Sequence, residues 1–202
     1  MLIKILLIAI FIGCQSNKKQ FILTSENWDV WKSYIQPLPS ELAWTQIPWV
    51  TTFSEGINLA RTQQRPLLLW VMNGHPLGCT WNNGTAGRRL VWSDPRLIQI
   101  AKEFIPATDE VWRLQGIQDE DAKIFQAMAN KGHYQKEGGS RQGIYICSPS
   151  GELLSSINSL NPDDVLSVIQ QGLDKWNHNM ISNRSINPVS YTHLTLPTIY
   201  SV

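Results

Sequence analysis

The fold is decided by one stretch in which an apolar run leads into a polar loop. Residues 67–72 are Leu-Leu-Leu-Trp-Val-Met, and residues 73–84 are Asn-Gly-His-Pro-Leu-Gly-Cys-Thr-Trp-Asn-Asn-Gly. A continuous apolar run of this length, preceded by Pro66 and followed by a Gly-containing loop, predicts a strand buried on both faces of a parallel sheet. The next helix is predicted to have Ser93 as its cap and Pro95 in its first turn.

The elements on either side of this stretch predict the fold class. In chain order they are a helix over residues 55–64 capped by Ser54, a strand over 104–112, a helix over 119–131, a hairpin of 143–147 with 152–157, and a helix from Pro162 to about Trp176. Two strands joined through helices, followed by an antiparallel hairpin, form a mixed sheet. We therefore expect an α/β fold with a mixed central sheet and helices on both faces.

Length and composition limit the classes of protein to which the chain can belong. It has 202 residues, of which 43% are hydrophobic and 16% are charged, and its formal net charge is +1. This composition suffices for the core of one ordinary domain and excludes a wholly disordered chain. Because the net charge is near zero and the sequence has no block of like charges, no nucleic-acid partner is expected. Core or sheet-edge cover is the expected role of Trp28, Trp31, Trp44 and Trp49.

The N-terminus resembles a bacterial lipoprotein signal. Lys4 precedes a short apolar run that ends at residues 11–14, Phe-Ile-Gly-Cys. The run is too short for a finished transmembrane helix and is typical of a signal peptide. The resemblance implies that Cys14 is the lipidation site, and Gln15 after it favours the outer membrane, facing the periplasm. Acyl chains on Cys14 would anchor the protein in a membrane without a spanning helix.

The predicted organisation places one folded domain between two ends that are not part of the fold. Residues 1–13 are the predicted signal peptide, 14–24 a tether, 25–49 an N-terminal extension, 50–178 the domain and 179–202 a tail. Within the tail, Val-Ser-Tyr-Thr-His-Leu at 189–194 back-translates to a transposon end that is used in sequencing libraries. We therefore predict that about 189–202 is translated adapter, which removes His193 from the functional candidates.

The element order and several local motifs resemble the thioredoxin-like fold family, over about residues 50–177. The motifs are Arg-Pro at 65–66, a cysteine-containing loop after the first strand, Ser-Asp-Pro at 93–95 and a Ser-Pro-Ser-Gly hairpin turn at 148–151. Two features depart from the family. Cys-Thr-Trp-Asn at 79–82 lacks the second cysteine of its Cys-x-x-Cys motif, and residues 140–143 lack its proline before the third strand.

The resemblance implies thiol redox chemistry at Cys79, in a thioredoxin-like domain of the cell envelope. A thiol at a helix N-terminus has a lowered pKa, because unpaired backbone N–H groups stabilise the thiolate. Asn82 is expected to hydrogen-bond the sulfur, and Arg141, Arg88 or Arg89 to add positive charge. The predicted catalytic residues are Cys79, Thr80, Asn82 and Arg141. Without a resolving cysteine, the oxidised form needs an external thiol reductant or a protein thiol as partner.

Other hypotheses stay open for the same loop. Cys79 could be a buried residue that only packs, which would leave a non-catalytic protein-binding module. A metal hypothesis uses His75 and Cys79, with His133 near them, because nitrogen and sulfur ligands suit copper(I) or zinc. No cofactor is expected.

The remaining polar residues and the third cysteine are given structural roles. Cys147 lies near the end of a predicted core strand and is expected to pack there, too far from Cys79 for a disulfide. His133 is expected at the surface. Asp109 and Glu110 follow the second strand and form a candidate acid–base pair, although a solvated turn is the favoured interpretation.

Overall fold

The computed structural model describes residues 22–78, 82–134 and 139–186. The boundary between two compact units falls between Gln36 and Pro37. The described part of the first unit contains the helix α1 (Trp28–Ile35), whose N-cap is Asn27. Among the described residues, none of the helices combines the length and the hydropathy that crossing a bilayer requires.

A four-stranded mixed sheet forms the centre of the second unit. Its strands are β1 (Leu67–Met72), β2 (Ile105–Glu110), β3 (Gly143–Cys147) and β4 (Leu153–Ile157). The spatial order is β2-β1-β3-β4, with β1 parallel to β2 and antiparallel to β3, and with β3 antiparallel to β4. The predicted α/β class with a mixed sheet is confirmed, and this topology is compatible with a thioredoxin-like fold.

Helices connect and flank these strands. They are a 3-10 helix (Pro39–Gln46), α2 (Phe53–Gln63), α3 (Asn82–Ala86), a π-helical turn (Gly87–Val91), α4 (Pro95–Ile100), a 3-10 turn (Ala101–Glu103), α5 (Val111–Gly116), α6 (Glu120–Ala129) and α7 (Pro162–Ile186). The 3-10 helix lies within the predicted N-terminal extension 25–49. Its Pro39 occupies a position at which the missing N–H costs no hydrogen bond, and the Glu41 carboxylate accepts from the backbone of Leu38 over 2.8 Å.

Two helix caps differ from the predicted ones by one or two residues. Thr52, not Ser54, caps α2, because its hydroxyl accepts from the N–H of Glu55 over 3.2 Å. Asp94, not Ser93, caps α4 through a 2.8 Å hydrogen bond from the N–H of Arg96. In both cases two residues no more than two positions apart have capping side chains, and local sequence alone does not rank them.

Alternate residues of β1 supply the two halves of the core. Leu67, Leu69 and Val71 pack with apolar residues of α2, α5 and α6. On the other face, Leu68, Trp70 and Met72 pack with residues of α4 and α7 and with Trp92. All six residues of β1 are buried, as the continuous apolar run predicts. Helices therefore cover both faces of the sheet, which confirms that part of the prediction.

The tryptophans divide between the core and the surface. Trp44 and Trp49 pack against the core on the Trp70 face, in line with the prediction. Trp49 meets Trp92 edge to face, with 4.9 Å between ring centroids. The prediction is wrong for Trp28 of α1, whose side chain is about half exposed. The second strand also ends earlier than predicted, because Val111 begins α5 and leaves Trp112 on the surface.

Candidate functional site

The candidate site lies where β1 ends and β3 begins. The two strands run antiparallel, and Val71 near the end of β1 pairs with Gly143 at the start of β3. Residues 73–78 continue from β1 into the predicted functional loop, with a turn in which Gly78 N–H donates to His75 O over 3.0 Å. The carboxyl end of a central strand is where α/β sheets commonly hold their ligands. Ligand binding is therefore expected at this edge of the sheet.

A cavity of about 230 Å³ opens at this edge, on the Trp70 face of the sheet. Its lining combines apolar and aromatic side chains with several uncharged polar ones. The lining residues are Trp70, Met72, Asn83, Gly87, Val91, Trp92, Gln142, Gly143, Ile144, Asn158, Ser159 and Leu160. Apolar walls with a few convergent amide groups are typical of a site that takes an uncharged group.

One wall of the cavity comes from the π-helical turn that follows α3. Gly87 lies so close to the indole of Trp70 that a Cβ at this position would be 2.8 Å from Trp70 Cζ2. Any larger residue would push the helix away from β1 and change the shape of the cavity. A π-helical turn inside a helix is rare and is often found at functional positions.

Residues 140–143, here named the β3 lead-in, are held by several side chains. Gln115 Oε1 accepts from the N–H of Arg141 over 2.9 Å, and the hydroxyl of Tyr145 donates to the carbonyl of Arg141 over 2.7 Å. Ser140 Oγ donates to Asn73 Oδ1 over 3.1 Å, which ties the lead-in to the loop after β1. The lead-in has no proline, and these side-chain hydrogen bonds fix its path instead.

The side chain of His133 also holds the β3 lead-in in place. Its Nε2–H donates to the carbonyl of Gln142 over 3.1 Å, and its ring lies against Tyr145 with 5.1 Å between centroids. Gly143 has φ +146°, and a Cβ there would be 2.6 Å from the imidazole. Only glycine satisfies both the backbone angle and the space, so His133 and Gly143 fit as a pair.

Burial changes the acid–base behaviour of the groups around the lead-in. Partial burial lowers the pKa of His133 below its usual value, although the hydrogen bond to Gln142 opposes this shift. Burial raises the pKa of Tyr145 far above its usual value, with a smaller opposing effect from the Arg141 charge. Within the described part of the chain, His133 Nδ1 is buried and has no hydrogen-bond partner. The expectation that His133 lies at the surface is therefore wrong.

The loop after β1 is held by an arginine from the following helical segment. Arg88 donates through Nη1 to the carbonyl of Pro76, and its guanidinium lies over the Trp44 ring at 5.7 Å. Desolvation lowers the pKa of Arg88 from its usual value, which is high enough that the group stays charged. Arg89, by contrast, pairs with Glu41. Of these two arginines, Arg88 is the one that brings positive charge to the loop.

The predicted catalytic residues fall partly outside the described structure. Cys79 and Thr80 lie outside the described residues, and of Asn82 only the backbone, at the start of α3, is described. Arg141 lies in the β3 lead-in, and its charge acts on Tyr145. The predicted lipidation site Cys14, the signal peptide and the segment 189–202 also lie outside the described residues.

Gln115 and Tyr145, which hold the lead-in, were not predicted as part of a site, and His133 was placed only beside the metal hypothesis. Gln115 and Tyr145 gave no sequence signal, because a lone glutamine in a helix and a tyrosine in an apolar strand are ordinary. His133 was noticed, but its neighbours come from β3 and β4, far away in sequence: its N–H donates to Ser156 Oγ over 2.8 Å. The usable signal was Gly143, since a glycine at the start of a core strand often marks a close approach of another group.

Cys147 has the structural role that was predicted for it. It is fully buried at the end of β3 opposite to Gly143, and it pairs with Leu67 at the start of β1. Burial raises the pKa of its thiol to about 12. A thiol in this environment is protonated at neutral pH and is shielded from reagents in solution.

Asp109 is part of a buried ion pair and not of a solvated turn, which corrects the favoured interpretation. Its carboxylate accepts from the N–H of Phe53 over 2.8 Å and from Arg113 Nε over 3.0 Å. The carboxylate raises the pKa of Arg113 by a direct hydrogen bond. Asp109 thus joins the start of α2, the end of β2 and the start of α5, a structural role.

The described residues do not support the metal hypothesis with a cluster of ligands. Among them, no group of three or more His, Cys, Asp or Glu side chains is placed to hold a metal ion. Both ring nitrogens of His75 have partners: Nε2 donates to Thr51 O over 3.0 Å, and Nδ1 accepts from Leu77 N over 3.3 Å. A metal ion at His75 would have to replace one of these hydrogen bonds.

Comparison with known protein families gave no match, and comparison with curated proteins gave none either.

Proposed function

We propose that the chain is a lipid-anchored, thioredoxin-like protein of the bacterial cell envelope that exchanges thiols and disulfides through Cys79. The observation that carries the proposal is the cavity at the end of β1, next to the segment from which the Cys79 loop continues. The anchor is the predicted lipid on Cys14, and Gln15 favours the outer membrane.

The surroundings of the loop favour a thiolate. Arg88 donates to the carbonyl of Pro76, three residues before Cys79 in the sequence, and carries a positive charge. A nearby cation and the start of a helix both stabilise a thiolate relative to the thiol. A larger thiolate fraction at neutral pH increases the rate of attack on a disulfide.

The proposed reaction balances with one partner disulfide and one external thiol. The Cys79 thiolate attacks a partner sulfur; the partner S–S bond breaks, a Cys79–partner disulfide forms, and the other partner sulfur leaves as a thiolate. The chain has 3 cysteines, of which Cys147 is buried and Cys14 is the predicted lipid carrier. The mixed disulfide is therefore resolved by an external thiolate, which attacks the partner sulfur and releases the Cys79 thiolate.

The cavity and the β3 lead-in supply the binding surface for that partner. Trp70 and Met72 give apolar walls, while Gln142 and Asn158 carry amide groups that can hydrogen-bond a peptide. The lead-in is fixed by Tyr145 and His133, so a bound partner would meet a preorganised surface.

The proposal is tested by mixed-disulfide formation. The full chain and its Cys79→Ser and Cys147→Ser variants are incubated with oxidised glutathione, and intact masses are recorded. The proposal expects one glutathione adduct on the wild-type protein and on Cys147→Ser, removed by dithiothreitol, and none on Cys79→Ser. Absence of the adduct from wild-type protein, with the folded state checked by circular dichroism, would contradict it.

A second function, that of a non-catalytic binding module, is favoured by the same cavity. Its described lining does not depend on the Cys79 thiol, so a ligand could bind there without redox chemistry. In that case the Cys79→Ser variant has the wild-type phenotype, whereas substitutions in the cavity wall abolish the function of the protein.

The copper or zinc site at His75 and Cys79 stays a prediction. Metal stoichiometry of the wild-type protein and of the His75→Ala variant tests it.

A further inference from the structure

The helix α1 has one apolar face and one polar face. Successive residues of an α-helix are rotated by about 100°, so its apolar side chains form a single arc. That arc consists of Trp28, Val30, Trp31, Tyr34 and Ile35. The opposite arc consists of Asp29, Lys32 and Ser33. A short helix with aromatic residues on one face is typical of segments that lie at a membrane surface.

Four of the five residues on the apolar face of α1 are exposed, and the fifth, Trp31, is partly buried and meets Tyr34 edge to face. Trp28 is 47% exposed, Val30 66%, Tyr34 79% and Ile35 69%. None of the eight residues of α1 is buried. An isolated helix of this length is marginal in water, and most helices gain stability by burying an apolar face. An apolar environment around its exposed side chains would therefore stabilise this helix.

The position of α1 in the sequence connects it to the predicted anchor. Trp28 follows Cys14 by 14 residues, a stretch that spans at most about 50 Å when fully extended. The only charged residues among 15–21 are Lys18 and Lys19, which favour an anionic surface. A tether of this length holds the helix at an effective concentration on the order of millimolar at the membrane. Even a weak intrinsic affinity of α1 for lipid then suffices for binding.

We infer that α1 lies in the surface of the membrane that holds the Cys14 lipid, with Trp28, Val30, Tyr34 and Ile35 in the headgroup region. This inference rests on the lipid anchor of the proposed function and not on its redox chemistry. Ile22 and Leu23, a few residues before the helix, are also exposed and add apolar surface to this segment of the chain. The acyl chains and the helix then both hold the chain at the bilayer, and two membrane-binding elements anchor a protein more stably than one.

Nitroxide labels on the lipidated full chain test the inference. In a Cys79→Ser background, Tyr34→Cys labels the apolar face, and Ser33→Cys labels the polar face as the matched control. Both proteins are reconstituted into vesicles of phosphatidylethanolamine and phosphatidylglycerol, and collision rates with oxygen and with a water-soluble nickel chelate are measured. We expect an oxygen-to-nickel ratio about threefold or more higher at position 34 than at 33, because hydrocarbon admits oxygen and excludes the chelate.

Each other outcome overturns the inference in a distinguishable way. Equal ratios at the two positions, with acyl chains on Cys14 verified by mass spectrometry, overturn the membrane contact and leave the anchor intact. Absence of acyl chains from Cys14 overturns both. Dipolar broadening at position 34 that grows with protein density, without oxygen contact, assigns the face to a second copy of the chain. Thiol exchange is measured separately on the chain with Cys79 present.

Discussion

The hydroxyl of Tyr145 donates a hydrogen bond to the carbonyl oxygen of Arg141 over 2.7 Å. Tyr145 is fully buried in β3, and Arg141 lies in the segment that leads into that strand. A buried strand residue thereby fixes the segment that borders the cavity. If this hydrogen bond positions the β3 lead-in, its removal should affect both the stability of the fold and the binding surface.

Tyr145→Phe is expected to lower the free energy of unfolding by about 1–2 kcal/mol, because the Arg141 carbonyl loses its partner in a partly buried place. Urea unfolding followed by tryptophan fluorescence measures the change. Tyr34→Phe is the control, since the Tyr34 side chain is largely exposed and its hydroxyl can bond water. Equal unfolding midpoints for Tyr145→Phe and the wild type would show that the hydrogen bond does not hold the lead-in.

Gly143→Ala is expected to destabilise the protein by about 2–4 kcal/mol, through backbone strain and a clash with His133. Gly143 has φ +146°, and its Cβ would also be 2.7 Å from the carbonyl oxygen of Ile157. The matched control is Gly116→Ala at the end of α5, where a Cβ meets nothing within 4 Å. That control should be neutral or stabilising by up to about 1 kcal/mol. Similar effects of the two variants on thermal unfolding would refute the proposed fit of His133 against Gly143.

Asp109→Asn is expected to cost about 2–4 kcal/mol, because Arg113 loses its buried counter-charge and Phe53 N–H a charged acceptor. Chemical denaturation gives the value. Asp163→Asn provides the comparison: Asp163 pairs with Arg96 over 2.8 Å, but both side chains are exposed, so little change is expected. The structural role of Asp109 would be wrong if the two variants were equally stable.

The stability of the protein is expected to fall in acid because of His133. Burial lowers the pKa of His133 in the folded state, so the unfolded state binds a proton more readily. The contribution of neutral His133 is complete above the unfolded pKa of about 6.5 and is lost as the pH falls through the folded pKa. Unfolding free energies at a series of pH values between about 8 and 5 measure this loss.

His133→Gln is expected to flatten that pH dependence, since glutamine does not titrate. His178→Gln, at an exposed position of α7, should keep the wild-type dependence. An unchanged slope in His133→Gln would assign the acid sensitivity to other groups.

The sequence predicted the central part of the fold well because its signals there are strong and local. The apolar run 67–72 became β1 with the predicted bounds, and the hairpin 143–157 has its turn at the predicted Ser-Pro-Ser-Gly. The last helix begins at Pro162 as predicted, and Asn161 caps it by a 2.9 Å hydrogen bond from the N–H of Asp163. Continuous burial, turn residues and capping side chains each act over a few residues, so a single sequence reveals them.

The sequence did not predict the parts that depend on distant contacts. One hydrogen bond that fixes the β3 lead-in joins Gln115 of α5 to Arg141. The Asp109 carboxylate accepts another from the N–H of Phe53, which is distant in sequence. Such contacts depend on the sheet bringing these elements together, and no local sequence pattern predicts them. The role of Cys79 is a different case, because it rests on the family resemblance and on the position of its loop.

The proposed function requires that Cys79 is a reactive thiol and that Cys147 is not. The most direct test treats the native full chain with iodoacetamide at neutral pH and follows each cysteine by peptide mass spectrometry. The proposal predicts rapid labelling of Cys79. Cys147 should stay protected until denaturant is added, since burial raises the pKa of the Cys147 thiol to about 12. If Cys79 stays as unlabelled as Cys147 in the folded protein, thiol chemistry at this loop is contradicted.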